Sequence, residues 1–173
     1  MKAALFSVTQ RGTELSERIA DALFPQWEST RFCFERYPSE DAVPFGNLSQ
    51  KVAEIFPEFD ALVFVCACGI AVRAIAPMIH SKQIDPAVVV LDDCGKFAIS
   101  LLSGHIGGAN RLTEKIAAAI GAQAVITTAT DTGKKFSPDC FAAANHLYFN
   151  DFRAAKEIAA AVLRNDKISL YSD

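Results

Sequence analysis

A glycine-rich segment in the middle of the chain brings three different polar side chains close together in sequence. It holds a hydroxyl, an imidazole and a carboxamide, at Ser103, His105 and Asn110. An imidazole that titrates near neutral pH can take a proton from water and later return it to a leaving group, as hydrolysis requires. His105 is therefore the main candidate for a catalytic base. The alternative is that it only caps the helix that follows.

The residues around His105 fit either binding or catalysis. Ser103 lies two residues before His105, so both side chains share one side if the strand continues. Ser103 could act as a nucleophile, but the segment lacks the G-x-S-x-G pattern, and an orienting or binding role is favoured. Glycines allow the backbone to approach a ligand closely, and amides at a helix start favour an anion. The glycines of this segment are Gly104, Gly107 and Gly108.

Two further segments have similar composition and are expected to supply substrate-binding residues, as are the glycines above and Asn110; the residues are Gly69, Arg73, Thr127 and Thr128. Gly69 is predicted to begin a helix and Arg73 to lie in its first turn, where a cation opposes the helix dipole. A bound anion would remove that conflict, although a solvated or salt-bridged Arg73 remains an alternative. Thr127 and Thr128 lead to Asp131, which could orient His105, hold a substrate amide or water, or cap the next turn.

Alternating apolar runs and amphipathic segments predict the elements that position these residues. Strands are predicted at residues 3–8, 31–35, 61–66, 88–91, 97–102 and 125–127, and a loop at 37–46. Helices are predicted to start near residues 12, 47, 69, 107, 137 and 151. The turn at residues 92–96 predicts that the strands on either side pair as a hairpin.

This alternation predicts an α/β fold, with one three-layer α/β/α domain over residues 1–173 and a mainly parallel sheet with one hairpin. In such sheets, ligands bind at the carboxyl ends of the strands. We therefore expect the loops after Cys66, Leu102 and Thr127 to meet in one cleft. A catalytic interpretation of these loops requires that they converge.

Charge and cysteine content exclude several functional classes. The chain of 173 residues has a net charge of −3 and no long run of either sign, so neither nucleic acid nor a membrane is an expected partner. A few Arg or Lys side chains in one pocket could still bind a polycarboxylated metabolite. Five cysteines without a C-x-x-C pair do not form a disulfide framework.

Metal binding and export are not expected either. His80 and His146 have no acidic or Cys partner at metal-ligand spacing, so no protein-bound zinc is predicted. The amino-terminal apolar run is too short for a signal peptide, and no segment is apolar enough to cross a bilayer. A reducing cytoplasm is the expected compartment.

Four ordered blocks resemble the cobalt-precorrin-5A hydrolase family of anaerobic cobalamin biosynthesis, specifically its amino-terminal domain. The blocks are residues 69–77, 85–90, 99–110 and 125–131, and weaker similarity extends to the first strand and helix and to residues 167–171. The resemblance implies a cobalt-bearing, partly methylated tetrapyrrole substrate with a δ-lactone. Water opens the lactone, and a two-carbon fragment leaves as acetaldehyde. Cobalt belongs to the substrate, so no cofactor is expected.

The resemblance also suggests roles for the residues inside these blocks. His105 would be the general base, Arg73 a clamp for a substrate carboxylate, and the backbone from Gly104 to Asn110 an oxyanion site. Family members carry a further central region and a carboxyl-terminal domain, so the chain is either a fragment or a stand-alone first domain. Other cobalamin-pathway domains or enzymes are the expected protein partners, with a homodimer as a further option.

Two alternatives to a hydrolase stay open at this point. A non-catalytic tetrapyrrole-binding module would use the same glycine loops and Arg73 without needing a titrating base. A flavodoxin-like binder of a nucleotide or phosphate is suggested only by the α/β order and the glycine-rich helix starts.

Overall fold

A computed structural model describes residues 1–81, 84–105, 107–129, 133, 135–138, 141–142, 145, 147–148 and 150–169. The chain divides into two compact units, Met1–Val125 and Ile126–Asp173. The expectation from the sequence that residues 1–173 form a single domain stays a prediction. No helix within the described ranges is long and apolar enough to cross a membrane.

The first unit is built on one seven-stranded sheet with the order β3-β2-β1-β4-β5-β6-β7. The strands are β1 (Lys2–Ser7), β2 (Glu28–Phe34), β3 (Ala42–Phe45), β4 (Ala61–Val65), β5 (Ala87–Leu91), β6 (Phe97–Leu102) and β7 (Gln123–Val125). Every neighbouring pair is parallel except β5 and β6, which are antiparallel. The central strands β4 and β5 are buried along their whole length, which explains their continuous apolar runs.

Helices cover both faces of this sheet, so the predicted three-layer α/β/α fold is confirmed. One face packs against α1 (Gln10–Leu23) and α4 (Ala109–Ile120). The other face packs against α2 (Leu48–Ile55) and α3 (Cys68–Ile75). Because side chains alternate along each strand, odd-numbered residues of β4 face the first pair of helices and even-numbered residues face the second.

Local signals set the helix boundaries. The side chains of Thr9 and Asn47 accept hydrogen bonds from amides in the first turns of α1 and α2. Gly121, with a φ of +77°, ends α4 in the left-handed conformation that glycine adopts without strain. The predicted hairpin is also present, since Gly95 lies at a φ of +66° in the turn between β5 and β6.

Three predicted elements differ in the structure. The segment from residue 37 to 46 contains the edge strand β3, in spite of Pro44, because an edge strand tolerates a missing ladder donor. The strand expected at residues 125–127 lies at Gln123–Val125. The helix that was predicted to begin at Gly69 begins one residue earlier, at Cys68, and its buried positions are Ala71, Ala74 and Ile75.

The second unit contains α5 (Phe152–Leu163), which begins where the sequence predicted. The Asp151 carboxylate accepts hydrogen bonds from the amides of Arg153 at 2.7 Å and Ala154 at 3.1 Å, and thereby caps the helix. The rings of Phe136 and Phe141 lie 5.7 Å apart within the same unit.

Candidate functional site

The direction of β6 decides where the glycine-rich segment lies. Leu102, at the end of β6, pairs with Val88 near the start of β5, whereas Cys66 follows the end of β4. The segment from Ser103 therefore lies at the edge where the parallel strands begin, here called the amino edge. Gly69 lies at the opposite, carboxyl edge. Five residues of strand span roughly 16 Å, so the expected convergence of these two loops is wrong.

Ser103 forms a tight turn at the amino edge. Its φ is +57°, and its Oγ donates a hydrogen bond to the Asp85 carbonyl at 3.0 Å. A Cβ on Gly107 would lie 2.4 Å from the Ser103 Cβ and 2.8 Å from its carbonyl oxygen. Only glycine fits at position 107 without a backbone shift, and the Ser103 hydroxyl is held in a structural contact.

The amides that follow this turn bond within the segment itself. The N–H groups of Gly108, Ala109 and Asn110 donate to the carbonyls of His105, Ser103 and Gly104, at 3.0, 3.1 and 3.0 Å respectively. An oxyanion site needs donors that are directed at the ligand. These three amides are already engaged inside the turn, so the prediction that they form the oxyanion site is not supported by their geometry.

The side chain of Asn110 holds the glycine-rich segment in place. It is 8% exposed, and its Oδ1 lies 2.7 Å from the Ser100 Oγ, which donates to it. A Cβ on Gly104 would lie 2.7 Å from the same Oδ1, so the chain passes directly over this carboxamide. Asn110 and Gly104 therefore hold the shape of the turn, and His105 lies partly buried on it.

A pocket of about 250 Å³ opens at the amino edge beside this turn. Gly107 and Gly108 form one side, and Trp27 and Leu112 contribute apolar surface. Arg111 and Lys115, one turn apart on α4, bring two cationic side chains to the pocket, and none of the described residues that line it carries a carboxylate. We call this cavity the basic pocket. Neither cation is among the site residues predicted from the sequence.

A second pocket, of about 370 Å³, opens at the same edge and shares Met1 and Gly107 with the first. Its lining includes three carboxylates, Glu58, Asp60 and Asp85. Asp85 accepts two hydrogen bonds from the His80 amide, both at 3.1 Å, and Asp60 accepts one from the Lys2 amide at 2.7 Å. We call this cavity the acidic pocket. Gly107 thus stands between two cavities of opposite charge.

Arg73, the predicted carboxylate clamp, lies at the carboxyl edge. It occupies the last turn of α3 and not the first, because the helix begins at Cys68 and ends at Ile75, two residues before Pro77. A cation is favourable there, so the predicted conflict with the helix dipole does not exist. The exposed guanidinium of Arg73 donates a hydrogen bond to the Gly69 carbonyl oxygen at 3.0 Å. The structure therefore brings these two predicted site residues into contact.

Other polar groups at the carboxyl edge support the turn after β5. Burial raises the pKa of Asp92, but hydrogen bonds from the amides of Phe97, Lys96 and Cys94 lower it more, and the net pKa lies below the ordinary range. Asp92, Asp93 and Cys94 form a group that the sequence analysis missed, with possible ligand atoms within 4.8 Å of one another. The Arg11 guanidinium lies 3.1 Å from the Cys94 sulfur and opposes a cation there.

The remaining predicted site residues belong to the second unit. Thr127 is exposed and Thr128 is partly buried. Asp131, which the sequence analysis treated as a possible partner of His105, lies outside the described residues. The predicted role of this segment stays a prediction.

Part of the chain is similar in sequence to a known protein family. A sequence model of the family described as Cobalamin synthesis G N-terminal matches residues 50–131. This range contains the glycine-rich turn, Arg111 and Lys115 at the amino edge, and Gly69 and Arg73 at the carboxyl edge.

Curated relatives match nearly the whole chain. A cobalt-precorrin-5A hydrolase of Salmonella typhimurium is 40% identical over 98% of this chain and 48% of its own length. A cobalt-precorrin-5A hydrolase of Priestia megaterium is 32% identical over 98% of this chain and 46% of its own length. The chain thus spans about half the length of the curated relatives it matches.

A solved structure has the same fold. The chain aligns with a cobalamin biosynthesis protein G homologue from Sulfolobus solfataricus with a TM-score of 0.59 and 24% identity. The alignment covers 99% of this chain and 50% of the other.

Proposed function

Because the chain belongs to the family of Cobalamin synthesis G N-terminal domains, we propose that it forms the amino-terminal part of a cobalt-precorrin-5A hydrolase. The observation that carries this proposal is the 40% identity to such a hydrolase over 98% of the chain. The substrate would be a cobalt-bearing tetrapyrrole with a δ-lactone. Water opens the lactone, and acetaldehyde is released.

The substrate would bind at the amino edge of the sheet. The basic pocket supplies cations for peripheral carboxylates, and the glycine-rich turn brings the backbone close to whatever occupies it. At the carboxyl edge, Arg73 bonds to Gly69 and Asp92 bonds to the hairpin turn. These polar groups thus stabilise the fold at the carboxyl edge. The amino edge, in contrast, has a cavity that is lined by cationic side chains.

His105 lies on the same turn as Gly107, which lines the basic pocket. In this proposal the His105 imidazole accepts a proton from the attacking water while the C–O bond of the lactone ring breaks. The freed ring oxygen becomes the carbonyl oxygen of acetaldehyde when the carbon–carbon bond to the macrocycle breaks, and the imidazolium returns its proton to the macrocycle carbon. The charge that develops on the carbonyl oxygen must be stabilised by groups other than the Gly108, Ala109 and Asn110 amides, because these already bond within the turn. The Ser103 hydroxyl orients the turn and is not the nucleophile.

The proposal can be tested by measuring acetaldehyde. The purified chain is incubated with cobalt-precorrin-5A, and released acetaldehyde is trapped with a hydrazine and quantified. The same assay is run with the remaining half of the Salmonella typhimurium hydrolase supplied as a separate polypeptide, since the curated relatives are about twice as long. Acetaldehyde in either assay supports the hydrolase. Its absence from both, with the intact relative as a positive control, would refute it.

A further inference from the structure

We propose that Arg111 and Lys115 form a carboxylate-binding pair that holds one carboxylate-bearing edge of the tetrapyrrole in the basic pocket. The inference deepens the proposed function and rests on it, because it names the residues that would recognise the substrate. Neither residue stood out in the sequence, where two basic residues four positions apart on an amphipathic helix are typical of a solvated face.

The first argument is geometric. Residues four positions apart on a helix lie next to each other on one face, and both side chains line the same cavity. The helix is held firmly, since Leu112 and Ile116 are buried against the sheet. The helix thus fixes the backbone from which both cations extend, and only their side chains must be ordered when a ligand binds.

The second argument is electrostatic. Like charges at this spacing on a helix repel each other, and a carboxylate between them would remove the repulsion. Within the part of the chain that the structure describes, the ion pairs involve neither Arg111 nor Lys115. The Lys115 ammonium donates to the Gln26 side-chain oxygen at 2.5 Å, a neutral acceptor that leaves its charge uncompensated.

The third argument is orientation. The acidic pocket on the other side of Gly107 would repel an anionic ligand edge, so of these two cavities the basic pocket is the one that suits it. A cavity of about 250 Å³ is smaller than typical sites for whole drug-sized ligands. It therefore holds one edge of the macrocycle with its carboxylates, while Trp27 and Leu112 offer apolar surface to the ring carbons.

Binding of uroporphyrin III, a porphyrin with eight carboxylates, tests this inference. The dissociation constant is measured by fluorescence titration for the unaltered chain, for Arg111→Gln, for Lys115→Gln and for the double variant. The control ligand is a tetracationic N-methylpyridyl porphyrin, which has the same macrocycle and no carboxylate. The control variants are Lys51→Gln on α2, across the sheet, and Lys51→Gln combined with Lys96→Gln in the hairpin turn at the carboxyl edge, which remove equal charge elsewhere in the first unit.

We expect each single variant to weaken uroporphyrin binding about threefold and the double variant about tenfold, since both cations are partly solvated. The control variants should change the dissociation constant by less than about twofold. Circular dichroism and melting temperature show whether each variant is folded. Double-variant affinity equal to that of the double control would overturn the inference, as would equal affinity of the unaltered chain for the cationic porphyrin.

This outcome is separable from failure of the proposed function. If acetaldehyde is formed and the Arg111 and Lys115 variants bind uroporphyrin normally, the hydrolase stands and the recognition pair is wrong. If the variants lose affinity as expected but no acetaldehyde is formed in any assay, the pair stands as a carboxylate site and the hydrolase is wrong.

Discussion

Replacing His105 with alanine is expected to lower kcat for acetaldehyde release by about 100- to 10,000-fold, the usual contribution of a positioned general base. The turn that carries His105 is held by main-chain bonds and by Asn110, so the substitution should leave it in place. His105 is also only partly buried, and its side chain contributes little to the core. The measurement is the rate of acetaldehyde release at saturating substrate.

The matched control is His80→Ala, because the His80 side chain is exposed and its contact with Asp85 uses the backbone amide, which alanine retains. This variant should keep kcat within about twofold of the unaltered chain. If His105 only capped the helix, His105→Ala would lower the melting temperature and leave kcat unchanged. That result would remove His105 from the mechanism.

Replacing Gly107 with alanine is expected to destabilise the first unit by about 1–3 kcal/mol, the usual cost of forcing extra atoms into a packed site. The new Cβ would lie 2.4 Å from the Ser103 Cβ and 2.8 Å from its carbonyl oxygen, so the backbone must move. The same shift would disturb both pockets, because Gly107 lines each of them. Urea denaturation followed by circular dichroism measures the change.

Gly69→Ala is the contrasting variant, since the sequence analysis assigned both glycines to substrate binding. A Cβ on Gly69 would lie 3.0 Å from the flexible Arg73 Nη1, and position 69 lies within α3, where alanine is favoured over glycine. We expect its free energy of unfolding to stay the same or rise by about 1 kcal/mol. Equal destabilisation by the two substitutions would contradict the tight Gly107–Ser103 contact.

The sequence predicted the architecture well because apolar residues recur with different periods in strands and in helices. The segments are long enough to show which period each one has. The fully apolar runs of β4 and β5 indicated buried strands, and the Asp92–Lys96 turn indicated the hairpin. The predicted convergence of the loops was wrong because of that hairpin. An antiparallel β6 ends at the amino edge, so a loop after Leu102 cannot meet a loop after Cys66.

The basic pocket could not be read from the sequence for a different reason. Trp27 and Gln26 precede β2, while Arg111 and Lys115 lie on α4, and only the packed sheet brings these segments together. Strand β3 was likewise not predicted, because Pro44 argues against a strand unless that strand is known to lie at the edge of a sheet. Position within the sheet is a property of the tertiary fold.

Binding of the tetrapyrrole at the amino edge can be detected by the paramagnetic line broadening that cobalt(II) uroporphyrin III causes. Amide signals of the isotope-labelled chain are compared between the cobalt(II) complex and the diamagnetic zinc(II) complex. We expect selective broadening at Gly107, Gly108 and Arg111, with Gly69 and Arg73 unaffected at the opposite edge. Broadening centred on Gly69 and Arg73, with the Gly107 and Arg111 signals unchanged, would contradict it.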